Sequence, residues 1–486
     1  MGQHTGDAPA LSVKISSFTD KGCGRGTFCS PQGLERQAEV PFTLPGELVA
    51  FLPLQKRAGK VKGRLKLIET ASPDRIEPLC PHFGDCGGCQ FQHMVYEQQL
   101  AFKHNLVSTI YSRTLGRQAQ VNEVLAAPEE WGYRNKMEYT FSSDREGNRY
   151  LGLIRSASRG QVINLQSCYL VAPWYTEVLR VTRQWWEETG LTAYHPHRNQ
   201  GTLRNLILRQ SFNYGDRMII LVVSGLPEYA PHKHHLASLI SYLREVAEPE
   251  EGQLSIFLRI QQTLPGVPTS FYEMLLHGAD HLREKFRVTA RQGGPTSDVE
   301  LQVGPMAFLQ PNPIQAARLY SAAMELGEID KGTMVYDLYC GAGALGLCCA
   351  PFAKQVVGIE LSPESSLDGR NNIRLNQLEN MSIYTGAVRH VLATIERERN
   401  YPPPDVVFVD PPRSGLDPTA RQVVASTAAE RIVYVSCNPH SQANDVKLLE
   451  EQGYELDRLQ PVDMFPQTYH VETIALLKRR KELHGG

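Results

Sequence analysis

The sequence predicts an α/β protein in which a C-terminal doubly wound sheet follows an N-terminal OB-like β-barrel and a strand-rich central domain. Three observations predict this. From about residue 300 short apolar strands alternate with helical segments, the pattern of a sheet covered on both faces. Residues 11–70 show short alternating segments broken by Gly and Pro, the pattern of a small barrel. Residues 131–264 carry further strand-like runs, at 139–142, 150–154, 206–209, 218–223 and 254–260. A chain of 486 residues is too long for one ordinary domain. The expected divisions are 1–72, 73–298 and 299–486, with 289–298, rich in Gly and polar residues, as the last connection.

In the barrel, Lys60, Lys62, Arg64 and Lys66 fall on every second residue, with Val61, Leu65 and Leu67 between them. In a strand this puts four cations on one face. A solvated face is the plain reading; a face that tracks phosphates suits an OB-like barrel better. Next in order, Leu100, Phe102, Leu106, Ile110 and Leu115 approximate helical spacing and predict a helix over Tyr96–Thr114. This helical stretch, within 95–126, is expected to pack on the C-terminal domain.

Composition narrows the class. Lys and Arg (50) nearly balance Asp and Glu (52), so an anionic partner must be held by a local patch and not by a global field. No apolar run approaches the roughly 18 residues needed to span a bilayer. No basic segment followed by an apolar core opens the chain, so a cytoplasmic protein is expected. Its ten cysteines are then reduced, metal-bound or catalytic.

The C-terminal domain carries the chemistry. Met334–Leu338 reads as a buried strand, followed by Tyr339-Cys340-Gly341-Ala342-Gly343-Ala344-Leu345-Gly346. Such a turn lets backbone approach a ligand closely. A second strand ends in Glu360, where a carboxylate can accept hydrogen bonds from an adenosine ribose. Gly341, Gly343 and Gly346 also satisfy the dinucleotide fingerprint, so this segment suits S-adenosylmethionine and NAD equally. Val406–Val409 then runs into Asp410-Pro411-Pro412-Arg413, whose prolines make a stiff wall and not an anion cradle. Ile432–Ser436 runs into Cys437-Asn438-Pro439, which puts a thiol at the open end of a strand. Most lone cysteines are inert. Here, however, C5 of uracil is too weak a nucleophile to take a methyl group unaided, and thiol addition at C6 activates it. A base must afterwards remove the C5 proton, and Glu472, in His470-Val471-Glu472, is the candidate.

Cys80, Cys86 and Cys89 lie on one short loop with Gly84, Gly87 and Gly88, and Cys168 is the natural fourth ligand. Four thiolates suit either zinc or an iron–sulfur cluster. Cys23, Cys29, Cys340, Cys348 and Cys349 read as small apolar residues. Arg134 and Lys136 are candidate RNA contacts.

Asp337-Leu338-Tyr339-Cys340-Gly341, Asp410-Pro411-Pro412-Arg413, Ser436-Cys437-Asn438-Pro439 and His470-Val471-Glu472 together resemble the RNA 5-methyluridine methyltransferase family. Phe308-Leu309-Gln310-Pro311-Asn312 looks like its upstream cofactor segment. The resemblance spans nearly the whole chain. It implies a Rossmann-like methyltransferase sheet, Cys437 as nucleophile, Glu472 as base, and Gln310, Tyr339, Glu360 and Asp410 near adenosylmethionine, beside Gly341 and Gly343 of the turn. Ala344 and Ala387 depart from it, standing where polar residues are expected. Members acting on ribosomal RNA carry an OB-like TRAM domain and a [4Fe–4S] cluster on a pattern matching Cys80, Cys86, Cys89 and Cys168. The resemblance therefore implies 23S rRNA as partner over tRNA, and a structural cluster. A monomer is expected, with no membrane and no protein partner. The other classes weighed are an NAD-dependent oxidoreductase, an RNA-binding assembly factor with a decayed catalytic domain, and an iron–sulfur redox sensor.

Overall fold

A computed structural model describes residues 10–30, 33–57, 59–158, 160–264, 266–398 and 401–480. The expectation about a leader segment rests largely on residues 1–9, outside the described residues.

β1 (Leu11–Lys14), β2 (Ser17–Phe18), β3 (Gly24–Cys29), β4 (Glu35–Val40), β5 (Leu48–Arg57) and β6 (Lys60–Thr70) form one sheet in the order β1-β5-β6-β4-β3-β2. β1 comes back against β3, and a Cβ on Gly26 would stand 2.1 Å from the Lys14 carbonyl oxygen. Glycine is required there because two backbones meet. Lys60, Lys62, Arg64 and Lys66 are exposed as expected, while Val61 is buried. Leu67 is not: it is 59% exposed. The reason is a register shift, since Phe51 pairs with Leu65 but Ala50 with Leu67, so Lys66 is an extra residue and the faces exchange beyond it.

α1 (Tyr96–Leu115) begins where the spacing predicted and ends at Gly116 in the left-handed conformation (φ 69°). Val107, Ile110 and Tyr111 of α1 are buried against Tyr434, Leu456 and Val471 near the C-terminus. The helix thus covers one face of the last sheet although it lies more than 300 residues upstream of those partners in sequence.

The central sheet is built from β7 (Lys136–Ser143), β8 (Arg149–Ile154), β9 (Val162–Asn164), β10 (Leu203–Gln210), β11 (Arg217–Ser224), β12 (Leu254–Gln262) and β13 (Ser270–His277). α2 (Trp174–Thr189) and α3 (Lys233–Ala247) cover one face, with Trp185, Trp186, Leu239 and Leu243 packed on Ile219 and Leu221. From the opposite face Arg209 donates to the Gly304 carbonyl at 3.0 Å and Arg259 to that of Pro305 at 2.9 Å. These bonds anchor the segment that leads to Gln310.

β14 (Leu282–Thr289) and β15 (Thr296–Val303) form a hairpin, so the expected connection at 289–298 is its turn plus the start of a strand. Phe286, Val288, Val299 and Leu301 share a core with α4 (Pro313–Leu326) and α5 (Ala344–Cys349). The division expected at 298/299 therefore falls inside β15.

The last sheet has the order β18-β17-β16-β19-β20-β22-β21. Its parallel strands are β16 (Met334–Leu338), β17 (Gln355–Glu360), β18 (Met381–Thr385), β19 (Val406–Val409) and β20 (Arg431–Ser436), and β21 (Tyr454–Val462) and β22 (Glu472–Arg479) close it as an antiparallel pair. α6 (Pro363–Leu375), α7 (Val388–Glu398), α8 (Pro418–Ser426) and α9 (Pro439–Glu451) complete the alternation. This is a doubly wound α/β sheet with one antiparallel edge. Its strand order reverses between β16 and β19, which opens a crevice at their carboxyl ends.

Candidate active site

Local sequence sets the loops at that crevice. Asn438-Pro439 starts α9: the Asn438 side chain accepts the His440 N–H at 3.1 Å, and proline occupies the first turn, where its missing N–H costs nothing. Cys437 is then the single residue between the end of β20 and that cap. Asp417-Pro418 starts α8 in the same way, Asp417 accepting the Ala420 N–H at 2.9 Å, which confines Asp410–Leu416 to a short loop. The Arg413 carbonyl accepts from Asn438 Nδ2 at 2.9 Å and from Ser441 Oγ at 3.1 Å. The two loops are thereby locked together.

A cavity of about 1200 Å³ lies over these loops. Gln310, Tyr339, Gly341, Glu360, Asp410, Cys437 and Glu472 all line it, so seven sequence-predicted site residues from distant segments are brought together. Gly343 does not. It is the N-cap of α5 at φ 80°, and a Cβ there would stand 3.0 Å from Ile383 Cδ1. Its place is behind the turn, where helix and sheet pack closely. Tyr339 takes the left-handed conformation (φ 67°) and Gly341 follows at φ 58°, a strained turn of the kind found at ligand sites. Glu360 Oε2 accepts the Gly341 N–H at 2.9 Å and Oε1 the Ser362 N–H at 2.7 Å. Each oxygen keeps a further acceptor position for a ligand hydroxyl.

The electrostatics are lopsided. Burial pushes the Asp410 carboxyl up to about 7 and Asp337 to about 7, the latter despite the Gly346 N–H that bonds it at 3.0 Å. Burial and then the charge of Asp410 push Glu472 up to about 8, with Arg413 opposing. Burial is the main cause in each case, and a cationic ligand brought against these carboxyls would favour their ionised forms. Burial, then Glu472, raises the Cys437 thiol; a hydrogen bond from Arg413 and its charge act against this. Arg413 is the functional residue that the sequence left unassigned, read only as the end of the Asp410-Pro411-Pro412-Arg413 loop. Asp337, read as part of a buried strand, also lines the cavity, as do Ala344 and Ala387.

Cys437 and Arg413 also line a second cavity of about 180 Å³, with Asp20, Leu106, Tyr469 and His470 among its other walls. Cys437 and Arg413 therefore each line two spaces. Of the candidate RNA contacts, the Arg134 guanidinium lies 5.5 Å from the Phe465 ring centre and Lys136 is half-buried with its acidity raised by desolvation.

All four cysteines of the proposed metal set are free. Burial pushes Cys86 up to about 11 and Cys89 to about 12 and raises Cys168, and each is raised further by neighbouring thiols of the set. The four sulfurs are thus within electrostatic reach of one another. Among the described residues, however, no three His, Cys, Asp or Glu side chains form a metal-holding group. The expected [4Fe–4S] site therefore gains no support from the geometry of these four side chains.

A switch-point crevice with a strained glycine turn, a thiol and buried carboxyls defines a group-transfer enzyme that uses a nucleotide-like cofactor. The tRNA (uracil-5-)-methyltransferase family model matches residues 273–480. An uncharacterised RNA methyltransferase of Protochlamydia amoebophila is 44% identical over 441 residues, covering 90% of this chain and 99% of that one. Another, from Caldanaerobacter subterraneus subsp. tengcongensis, is 32% identical over 481 residues, covering 96% and 98%. Among solved structures, the Pyrococcus abyssi tRNA (uracil-54, C5)-methyltransferase in complex with S-adenosyl-L-homocysteine superposes with a TM-score of 0.70, covering 96% of this chain and 100% of that one. At 23% identity this likeness speaks for the fold alone. The chain belongs to the RNA uracil-5-methyltransferase family and is an RNA methyltransferase.

Proposed function

We propose that this enzyme methylates C5 of a uridine in RNA, and that the RNA is 23S ribosomal RNA in the cytoplasm. The observation that carries the reading is the joint placement of Cys437, Arg413 and Glu472 on a cavity that the Tyr339–Gly341 turn also lines. S-adenosylmethionine, when bound, supplies an electrophilic methyl group, and its positive charge suits a cavity lined by buried carboxyls. Gln310, Tyr339, Gly341, Glu360 and Asp410 are the residues to hold it. Arg413 stabilises the Cys437 thiolate, which adds to C6 of the uracil and leaves C5 electron-rich for methylation. Glu472 then accepts the C5 proton, the C6–S bond breaks and the thiolate returns. The target base must leave its stack to reach the thiol.

The specificity for 23S rRNA rests on the resemblance of the first half of the chain to the ribosomal branch. The exposed Lys60–Lys66 row supports a phosphate-tracking role for an OB-like TRAM domain at 1–72. A [4Fe–4S] cluster on Cys80, Cys86, Cys89 and Cys168 is retained on the donor set alone; no step of the reaction runs through it. The family model's own description favours a second reading, a tRNA uridine as target. Mapping 5-methyluridine by mass spectrometry in rRNA and tRNA, with and without the protein, decides between them. Loss of the modification from 23S rRNA is the expected result. Binding to RNA without any methyl incorporation would instead mark a decayed enzyme, the reading that Ala344 and Ala387 on the cavity wall would support.

A further inference from the structure

Residues 463–471 form the loop of the β21–β22 hairpin, closed by the pair Val462 and Glu472. This loop gives Phe465 to the large cavity and Tyr469, His470 and Val471 to the small one. Most of what holds it comes from residues 90–133. Lys103 Nζ, fully buried on α1, lies 2.5 Å from Asp463 Oδ1 and donates to the Phe465 carbonyl at 3.1 Å. Tyr96 Oη donates to Asp463 Oδ2 at 2.9 Å. Gln99 and Gln467 form a closed pair: Gln99 Nε2 donates to Gln467 Oε1 at 3.1 Å, and the Gln467 N–H donates to Gln99 Oε1 at 2.9 Å. The N–H groups of Gln90 and Phe91 both donate to the Gln467 carbonyl, at 2.9 and 3.0 Å. Gln467 Nε2 donates to Glu130 at 3.2 Å, and Tyr133 Oη to the Pro466 carbonyl at 2.9 Å.

Gln467 adopts φ 68°, a conformation that non-glycine residues avoid unless their surroundings impose it. Its main-chain N–H and carbonyl and both ends of its side-chain amide are matched by partners from residues 90–130. Asn312 Nδ2, donating to the Met464 carbonyl at 3.3 Å, is a contact to the loop from the C-terminal half. A buried ion pair adds little to stability over an apolar pair of the same shape, whereas it fixes one geometry. So specific a lock on a loop beside the cavity calls for a functional explanation.

We propose that Gln99 and Lys103 are positioning residues for methyl transfer: through Gln467 and Asp463 they fix the 463–471 loop and thereby the placement of Glu472 and the walls of both cavities. This rests on reading Glu472 as the base that resolves the covalent intermediate. The effect is geometric, and a displacement of about 1 Å in such a group costs on the order of 100-fold in rate.

The test uses the full chain with methyl-labelled S-adenosylmethionine and its RNA substrate. Gln99→Met removes the amide pair at nearly constant volume. Lys103→Met with Asp463→Asn removes both buried charges together and keeps an acceptor for Tyr96. Rates are counted per molecule able to bind S-adenosylmethionine, so partial unfolding does not enter; if the double variant does not fold, Gln99→Met carries the test. The expected result is a kcat lower by about 10- to 100-fold, an unchanged KM for S-adenosylmethionine, and a covalent protein–RNA adduct accumulating on denaturing gels because elimination slows most. Wild-type kcat in either folded variant overturns the proposal. So does a fall in kcat without adduct, which is the mark of a merely structural role. Glu472→Gln is the control: if it gives no adduct, the assignment of the base fails, and kcat against KM alone then decides on Gln99.

Discussion

Two regions of this molecule are organised around thiols, and they differ in what surrounds the sulfur. Cys437 sits between β20 and α9, with Arg413 lowering and Glu472 raising its thiol from close by. Cys86, Cys89 and Cys168 are each raised by other thiols of the set, while hydrogen bonds to Gly88, Gln92 and Leu170 respectively act more strongly against the rise, and Arg134 opposes it at Cys89 and Cys168. Burial raises every one of these thiols. At Cys437 a cation faces the site of the anion, and the residue lines a cavity together with a buried carboxyl. Residue type says little about reactivity; the neighbours decide it.

The sharpest way to break this comparison is Cys437→Ala. Methyl incorporation is expected to fall by at least about 10³-fold, with S-adenosylmethionine binding by calorimetry nearly unchanged; residual turnover near wild type would remove the thiol from the chemistry. Arg413→Gln should cost about 10- to 100-fold at neutral pH, matching a charge-assisted hydrogen bond worth about 1.5–3 kcal/mol. Part of that loss should return at alkaline pH, where the thiol ionises unaided. A pH-independent loss would mean that Arg413 acts on something other than the sulfur.

The carboxyls sharpen the contrast in a different way. With Glu472 raised to about 8, its ionised form, the one a base requires, grows as pH rises through 8, so kcat should climb across that range. Stability should move the opposite way. Asp337 and Asp410 near 7 and Glu472 near 8 bind protons more tightly folded than unfolded, so their contribution is complete below about pH 4 and is lost as pH rises to 8. The melting temperature of the ligand-free enzyme should therefore decline from pH 5 to 8.5, and Asp410→Asn should flatten the decline. The smallest effect on catalysis is expected from Cys168→Ser. It should abolish any iron and acid-labile sulfide in anaerobically purified protein while leaving kcat per folded molecule unchanged.

Much of the site was legible because its parts are local. A strand, a capping Asn and a helix-starting Pro fix where Cys437 must emerge, and the same grammar places Asp410 and Glu360 at strand ends. What escaped was whatever depends on distant packing. Nothing near Arg413 in sequence announces its influence on Cys437. Gly343 fits a ligand fingerprint yet serves helix–sheet contact. Leu67 follows an alternation that a single bulge at Lys66 inverts. The cysteine loop shows the limit most plainly: spacing nominates four ligands, but only packing decides whether they form a metal-holding group, and none is found among the described residues.

The half-buried position of Cys437 has a protective consequence. Burial raises its thiol, and a raised thiol presents less thiolate to peroxides and stray alkylators than a free one would. The burial that shapes the pocket thus also guards the sulfur at its edge.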